Sequence, residues 1–293
     1  LDSLQKAGLL ALRIDAWLTP GDENFEYFMS DTPYVTPFLR VGAVKMYADG
    51  ALGSRGACLL APYSDDSPNK GLLVSTPEEL FAICKKAYDH GFQMNTHAIG
   101  DSAVRMVLKT YIKFLKPNND RRWRIEHAQV VNENDFTLFG AYNIIPSVQA
   151  SHATSDMDWA EQRLGKERIK NAYAYKRLLM QNGWLPNGTD FPIEGISPLK
   201  TFYASVTRKN ALGMPENGFM TENALSRMET LKSMTTWAAK ASYSENVRGC
   251  IAPGYDADFT ILNTDIMETD ESNILKSKVL YTIVGGKIVY KAK

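Results

Sequence analysis

Short apolar runs alternate with amphipathic helical stretches along most of this sequence, and that alternation constrains the fold more than any other feature. In the clearest example, residues 92–101, an apolar run ends in His97 and a turn of small residues leads to Asp101, where a helix is predicted to begin. Parallel strands joined by crossover helices produce this order. Because functional side chains lie at the carboxyl ends of parallel strands, His97 is a candidate site residue. A solitary histidine there would instead be a satisfied core residue.

The periodicity predicts six strands before the last part of the chain. They are residues 9–17, 41–47, 92–97, 123–127, 144–149 and 184–189. A closed (β/α) barrel needs eight strands. We therefore expect an α/β fold, a TIM-like (β/α) barrel that is incomplete, with strands 3–8 present and the first two preceding Leu1. The opening residues have no initiating Met and resemble the middle of a helix, which agrees with that expectation.

The pattern changes near residue 250, where short strands replace the strand–helix alternation. One strand is predicted at 258–262, and two further runs flank Gly285-Gly286, a two-residue hairpin signal. An isolated hairpin is marginally stable in water, so this segment needs other strands to pair with. We predict a partial barrel domain over residues 1–249 and a small β appendage over 250–293, which belongs to a composite β-sandwich domain.

Charge and cysteine content exclude several classes of partner. Lys+Arg and Asp+Glu both number 33, and no apolar run is long enough to span a bilayer. We therefore predict no nucleic-acid partner and no membrane partner. Cys58, Cys84 and Cys250 are far apart in sequence, which argues against a disulfide framework and favours a reducing compartment such as the cytoplasm. A small-molecule substrate is the expected partner, and exposed strand edges would favour a homo-oligomer.

Four potential ligands fall at the carboxyl ends of four predicted strands: Lys45, His97, His127 and Asp190. Each has an ordinary structural alternative, since Lys45 could extend its ammonium to a strand end, His127 could be a core histidine and Asp190 could cap a turn. Together they would lie on one rim of a parallel sheet. Two imidazoles and a carboxylate suit a borderline divalent metal such as zinc. The pattern therefore predicts a shared metal site.

The motifs around these residues resemble the amidohydrolase superfamily, most closely its N-substituted-formamide-deformylase-like branch. The resemblance covers nearly the whole chain. It is carried by Val44-Lys45-Met46-Tyr47-Ala48-Asp49-Gly50-Ala51-Leu52-Gly53-Ser54-Arg55, Thr96-His97-Ala98-Ile99-Gly100-Asp101, Ile125-Glu126-His127, Ser147-Val148-Gln149, Gly188-Thr189-Asp190-Phe191-Pro192 and the tail segment 249–259.

The resemblance implies a metal-dependent hydrolase on a TIM-like barrel, with one or two divalent ions in the intact protein. Lys45 would be a ligand that is often carbamylated to bridge two metals, and His97 and His127 would be further ligands. Asp190 would bind metal and take the proton of the attacking water. The superfamily also has a His-x-His pair on its first strand, and none of the four histidines here are two residues apart. We therefore expect the intact parent to be active and this segment alone to be inactive or metal-free.

The leading functional hypothesis is hydrolysis of a non-peptide C–N bond in an amide, a formamide or a cyclic amide. One alternative is a non-catalytic barrel that binds a ligand or partner without turnover. Another is a metal-dependent phosphoester or lactone hydrolase, since a fold does not fix a substrate. Arg55 and His152 are candidate substrate-binding residues, against a loop salt bridge for Arg55 and a solvated loop position for His152. Asp101 is predicted to cap a helix.

Overall fold

The structure is a computed structural model that describes residues 1–29 and 32–293. Its strands are β1 Ile14–Leu18, β2 Tyr34–Val35, β3 Leu39–Tyr47, β4 Gln93–Ala98, β5 Arg124–His127, β6 Ile145–Ser147, β7 Phe259–Leu262, β8 Val279–Val284 and β9 Lys287–Lys291. Its α-helices are α1 Asp2–Lys6, α2 Asp22–Phe28, α3 Pro77–Asp89, α4 Asp101–Tyr111, α5 Phe136–Ala141, α6 Ala150–Arg168, α7 Tyr175–Asn182, α8 Pro198–Thr207, α9 Arg227–Met234, α10 Thr236–Ala241 and α11 Glu271–Ile274.

These elements belong to two compact units. The first, called the sheet unit below, comprises residues 14–148 and 156–185. The second, called the hairpin unit, comprises residues 1–13, 149–155 and 186–293. The domain division predicted at residue 250 stays a prediction.

The sheet unit is built on parallel strands in the order β1-β3-β4-β5-β6, and β2 pairs with β3 in the antiparallel direction. This confirms an α/β fold with a parallel sheet, which is consistent with a TIM-like barrel. Helix α3 begins with the predicted capping box, in which Thr76 and Glu79 each bond the other's backbone N–H, and with Pro77 at its first position. The buried rings of Tyr111 and Trp123, 4.9 Å apart, pack between helix and sheet in this unit's core.

Three local predictions are wrong. Residues 184–189 form no strand. Helix α6 begins at Ala150, so His152 lies in its first turn and not in the loop given above as its structural alternative. Asp101 is not the cap of α4, because Gly100 occupies that position, and the Asp101 carboxylate accepts the distant Leu60 N–H at 2.9 Å.

The hairpin unit contains the antiparallel sheet β7-β8-β9, and its hairpin turns at Gly285-Gly286 as predicted. The Asp258 carboxylate accepts the Gly285 N–H at 2.8 Å and binds the Arg13 guanidinium at 2.6 Å. A small core forms around three buried side chains, Phe202, Tyr203 and Ile274. In the part of the chain that the structure describes, no helix combines the length and apolar character needed to cross a membrane.

Candidate functional site

His97 and His127 lie at the ends of the neighbouring strands β4 and β5 in the sheet unit. Their rings pack edge to face with centroids 4.6 Å apart. The His97 side chain is 14% exposed and His127 is 7% exposed. The strand register pairs His97 with Glu126 and Ala98 with His127, so regular alternation would send the two imidazoles to opposite faces. The positive φ of His127, 73°, interrupts that alternation at the strand end, where the two rings meet.

Lys45 lies on β3, next to the strand that carries His97, and pairs in register with Asn95. Its ammonium is 5.0 Å from the ring centroid of Tyr47 and 5.7 Å from that of Trp17. The Tyr47 ring in turn lies 5.5 Å from the ring of His97. Three of the four predicted metal ligands are therefore on adjacent strands of one sheet. Their role as ligands stays a prediction.

Asp49, two residues beyond β3, is absent from the site residues predicted from sequence. It is 2% exposed, and its carboxylate accepts the backbone N–H groups of Cys58, Ile99 and Gly100 at 2.8, 3.0 and 2.8 Å. Its Oδ1 lies 3.6 Å from His97 Nε2. Burial raises the pKa of Asp49 to about 7, against the opposing effect of the three hydrogen bonds.

In the hairpin unit, His152 lies between two carboxylates. Its Nε2 is 3.0 Å from Asp190 Oδ2, and its Nδ1 is 3.3 Å from Glu194 Oε1. The Ser155 hydroxyl donates to the same Glu194 oxygen at 2.5 Å. The hydrogen bond with His152 lowers the pKa of Glu194. The structure thus places the predicted catalytic residue Asp190 directly against the predicted substrate-binding residue His152.

Arg55 lies in the glycine-rich loop that follows β3 and is engaged by an acidic neighbour. Its Nε and Nη2 donate to the two carboxylate oxygens of Asp65 at 3.1 and 3.0 Å. Arg163 donates to the same carboxylate, and its Nε donates to the Gly53 carbonyl at 3.2 Å. The hydrogen bond from Arg55 lowers the pKa of Asp65. The loop salt bridge is therefore present, and a substrate contact for Arg55 stays a prediction.

The donor chemistry of these side chains fits a divalent metal. Imidazole and carboxylate groups are the ligands that zinc and similar borderline metals take in proteins. Within the sheet unit the rings of His97 and His127 adjoin, and within the hairpin unit His152 Nε2 lies 3.0 Å from Asp190 Oδ2. The buried carboxylate of Asp49 lies near His97, with Oδ1 3.6 Å from Nε2, which is beyond hydrogen-bond length.

Two curated proteins resemble this chain over most of its length. YtcJ of Bacillus subtilis (strain 168) is 36% identical over 255 residues, which cover 87% of this chain and 48% of YtcJ. LONG AFTER FAR-RED 3 of Arabidopsis thaliana is 36% identical over 262 residues, which cover 87% of this chain and 44% of that protein. The chain therefore spans about half the length of the curated relatives it matches.

Solved structures and a family model give the same relationship. An uncharacterized metal-dependent hydrolase from Pyrococcus horikoshii OT3 has a TM-score of 0.82 and 32% identity, over 92% of this chain and 54% of that one. A second, from Pyrococcus furiosus, has a TM-score of 0.77 and 29% identity, over 87% and 51% of the two chains. The model of the Amidohydrolase family (Amidohydro_3) matches residues 4–290. Because that match covers almost the whole sequence, the chain belongs to the amidohydrolase family.

Proposed function

We propose that the natural protein is a metal-dependent hydrolase that cleaves a non-peptide C–N bond in an amide, a formamide or a cyclic amide. The observation that carries the proposal is the closely packed pair of imidazoles, His97 and His127, at adjacent strand ends of an amidohydrolase-family chain. The similar Pyrococcus horikoshii protein, described as a metal-dependent hydrolase, supports the metal requirement. The motif resemblance to N-substituted-formamide deformylases supports the choice of bond.

In this proposal Lys45, His97, His127 and Asp190 would hold the metal, and Lys45 would be carbamylated as the resemblance implies. The chemistry that a divalent ion such as zinc would supply there is Lewis-acid polarisation of the scissile carbonyl and a lowered pKa of bound water. Asp190 takes the proton from the attacking water and returns it to the leaving nitrogen as the C–N bond breaks. His152 Nε2 engages one Asp190 oxygen and so fixes the carboxylate.

Metal analysis and hydrolysis assays on the full natural chain test this function. His97→Asn and His127→Asn should each lose bound metal and turnover together, because each removes an imidazole ligand that the proposal assigns to the metal. His90→Asn is the matched control, since His90 is exposed and lies at the end of a helix away from these strand ends. Substrates should include formamides, cyclic amides, lactones and phosphoesters.

The outcomes separate the competing functions. Turnover of formamides or cyclic amides by metal-loaded protein supports the proposal. Turnover of lactones or phosphoesters alone would replace the C–N assignment while keeping a metal-dependent hydrolase. Wild-type protein that binds metal and turns over none of the four classes would favour a ligand-binding role without catalysis.

A further inference from the structure

Helix α6 presents two polar side chains to one carboxylate oxygen. His152 and Ser155 are three residues apart, a spacing that places side chains on the same helix face. His152 Nδ1 lies 3.3 Å and Ser155 Oγ 2.5 Å from Glu194 Oε1. The Glu194 side chain is 21% exposed, which is low for a glutamate outside a regular element. This carboxylate therefore has a defined position against the helix.

The turn that follows Asp190 brings Glu194 to that position. The backbone at Asp190 is left-handed, with φ 59°, and the Ile193 N–H donates to the Asp190 carbonyl at 2.9 Å. The Glu194 N–H reaches the same carbonyl at 3.4 Å. A single tight turn thus carries both carboxylates that contact His152, one at each ring nitrogen.

We propose that Glu194, supported by Ser155, is a positioning residue that fixes the imidazole ring of His152 beside Asp190. The χ2 torsion of histidine is broad and roughly two-fold, so a contact at one nitrogen leaves the ring free to swing or flip. Contacts at both nitrogens set the ring plane and keep Nε2 on Asp190 Oδ2. The proposal rests on the proposed function, because the positioning of His152 affects turnover only beside a working Asp190.

Histidine modification by diethyl pyrocarbonate tests the positioning without any assay of activity. The reagent labels imidazoles, and mass spectrometry resolves the four histidines of the chain. In chelator-treated protein, Glu194→Ala should raise the labelling rate of His152 several-fold relative to exposed His90. Glu194→Gln retains an acceptor oxygen and should stay near the wild-type rate, and Ser155→Ala should lie between. Glu161→Ala, which removes an exposed carboxylate from the same helix, is the matched control.

Kinetics on the metal-loaded full natural chain supply the second arm. Glu194→Ala should lower kcat/KM by about 10- to 100-fold, the usual effect of losing a partner behind an active-site side chain. Glu194→Gln should recover most of that loss, while the metal content and urea midpoint of both variants stay at the wild-type level. In a His152→Ala background, Glu194→Ala should lower kcat/KM little further, because the imidazole that Glu194 positions is absent.

Several results would overturn the proposal. An unchanged His152 labelling rate in Glu194→Ala would do so, as would a Glu194→Gln variant as impaired as Glu194→Ala. Loss of metal in Glu194→Ala would assign the carboxylate to the metal and not to His152. Absence of amide hydrolysis in the wild type would contradict the proposed function alone, because the labelling arm still decides the position of His152.

Discussion

The two units fix their candidate residues by different means. In the sheet unit, three backbone N–H groups donate hydrogen bonds to the Asp49 carboxylate, which lies 3.6 Å from His97 Nε2. In the hairpin unit, side chains fix His152, through carboxylates that are 32% and 21% exposed. A buried backbone donor that loses its acceptor is costly, whereas a partly exposed side chain can exchange its partner for water. We therefore expect substitutions in the buried frame of the sheet unit, as distinct from the predicted ligands Lys45, His97 and His127, to act mainly on stability. Substitutions around His152 in the hairpin unit should act mainly on turnover.

The pH dependence of stability gives the largest expected contrast. An unfolded Asp has a pKa of about 3.9, and burial raises the pKa of native Asp49 to about 7. The native state therefore binds more protons between these values, and the free energy of unfolding falls as pH rises through that window. At about 1.4 kcal/mol per unit, a shift of about three units gives an upper bound of about 4 kcal/mol.

Urea unfolding of chelator-treated protein at several pH values between about 4 and 7 measures this effect. Asp49→Asn cannot titrate, so the wild type should lose stability relative to this variant as the pH rises. Glu216→Gln, which changes an exposed carboxyl in the hairpin unit, is the control. Parallel profiles for wild type and Asp49→Asn would show that Asp49 does not titrate in this range.

A pair of glycines tests the same contrast in the backbone. A Cβ at Gly100 would lie 2.1 Å from the Cys58 carbonyl oxygen, a backbone atom that no side-chain rotation can move. Gly100→Ala should therefore lower the free energy of unfolding by about 3 kcal/mol. A Cβ at Gly188, in the hairpin unit, would meet nothing within 4 Å. Gly188→Ala should therefore change the free energy of unfolding by less than about 0.5 kcal/mol. Equal losses in the two urea titrations would remove the distinction between the units.

Local patterns in the sequence were sufficient to find the strand ends. An apolar run closed by a polar residue is a local feature, and β3, β4 and β5 were found from it to within about two residues of their observed bounds. The capping box before α3 is equally local. The start of α6 carried no such signal, since its first turn lacks an acidic residue.

Long-range contacts at the site were beyond these patterns. Asp49 bonds backbone groups 50 and 51 residues further along the chain, and Ser155 meets Glu194 across 39 residues. The left-handed backbone of His127 also depends on tertiary structure, because β-strand alternation alone would send its ring away from that of His97. A carboxylate just after a strand end, as at Asp49, is the one local signal that could have added a residue to the predicted site.

A buried tyrosine next to the His127 loop gives a smaller effect. The Tyr173 hydroxyl donates a hydrogen bond to Asp156 at 2.8 Å. It accepts one at 2.9 Å from Gln129, which is two residues after His127 in the sequence. Tyr173→Phe leaves both partners short of a buried hydrogen bond, so the free energy of unfolding should fall by about 1–2 kcal/mol. Urea unfolding measures it, with exposed Tyr27→Phe as control. A loss of turnover without a loss of stability would contradict the expected behaviour of the sheet unit.

The smallest expected effect concerns Arg55, the sheet-unit residue with a predicted substrate role. Arg55→Lys breaks the bidentate contact with Asp65, because an ammonium cannot donate two parallel bonds. The pair is partly exposed, so the urea midpoint should hardly move. Arg163→Lys is the matched control, since Arg163 binds the same carboxylate and has no predicted substrate contact. If Arg55 only stabilises the loop, Arg55→Lys and Arg163→Lys should have the same KM. A KM that rises in Arg55→Lys alone would show that Arg55 contributes to substrate binding.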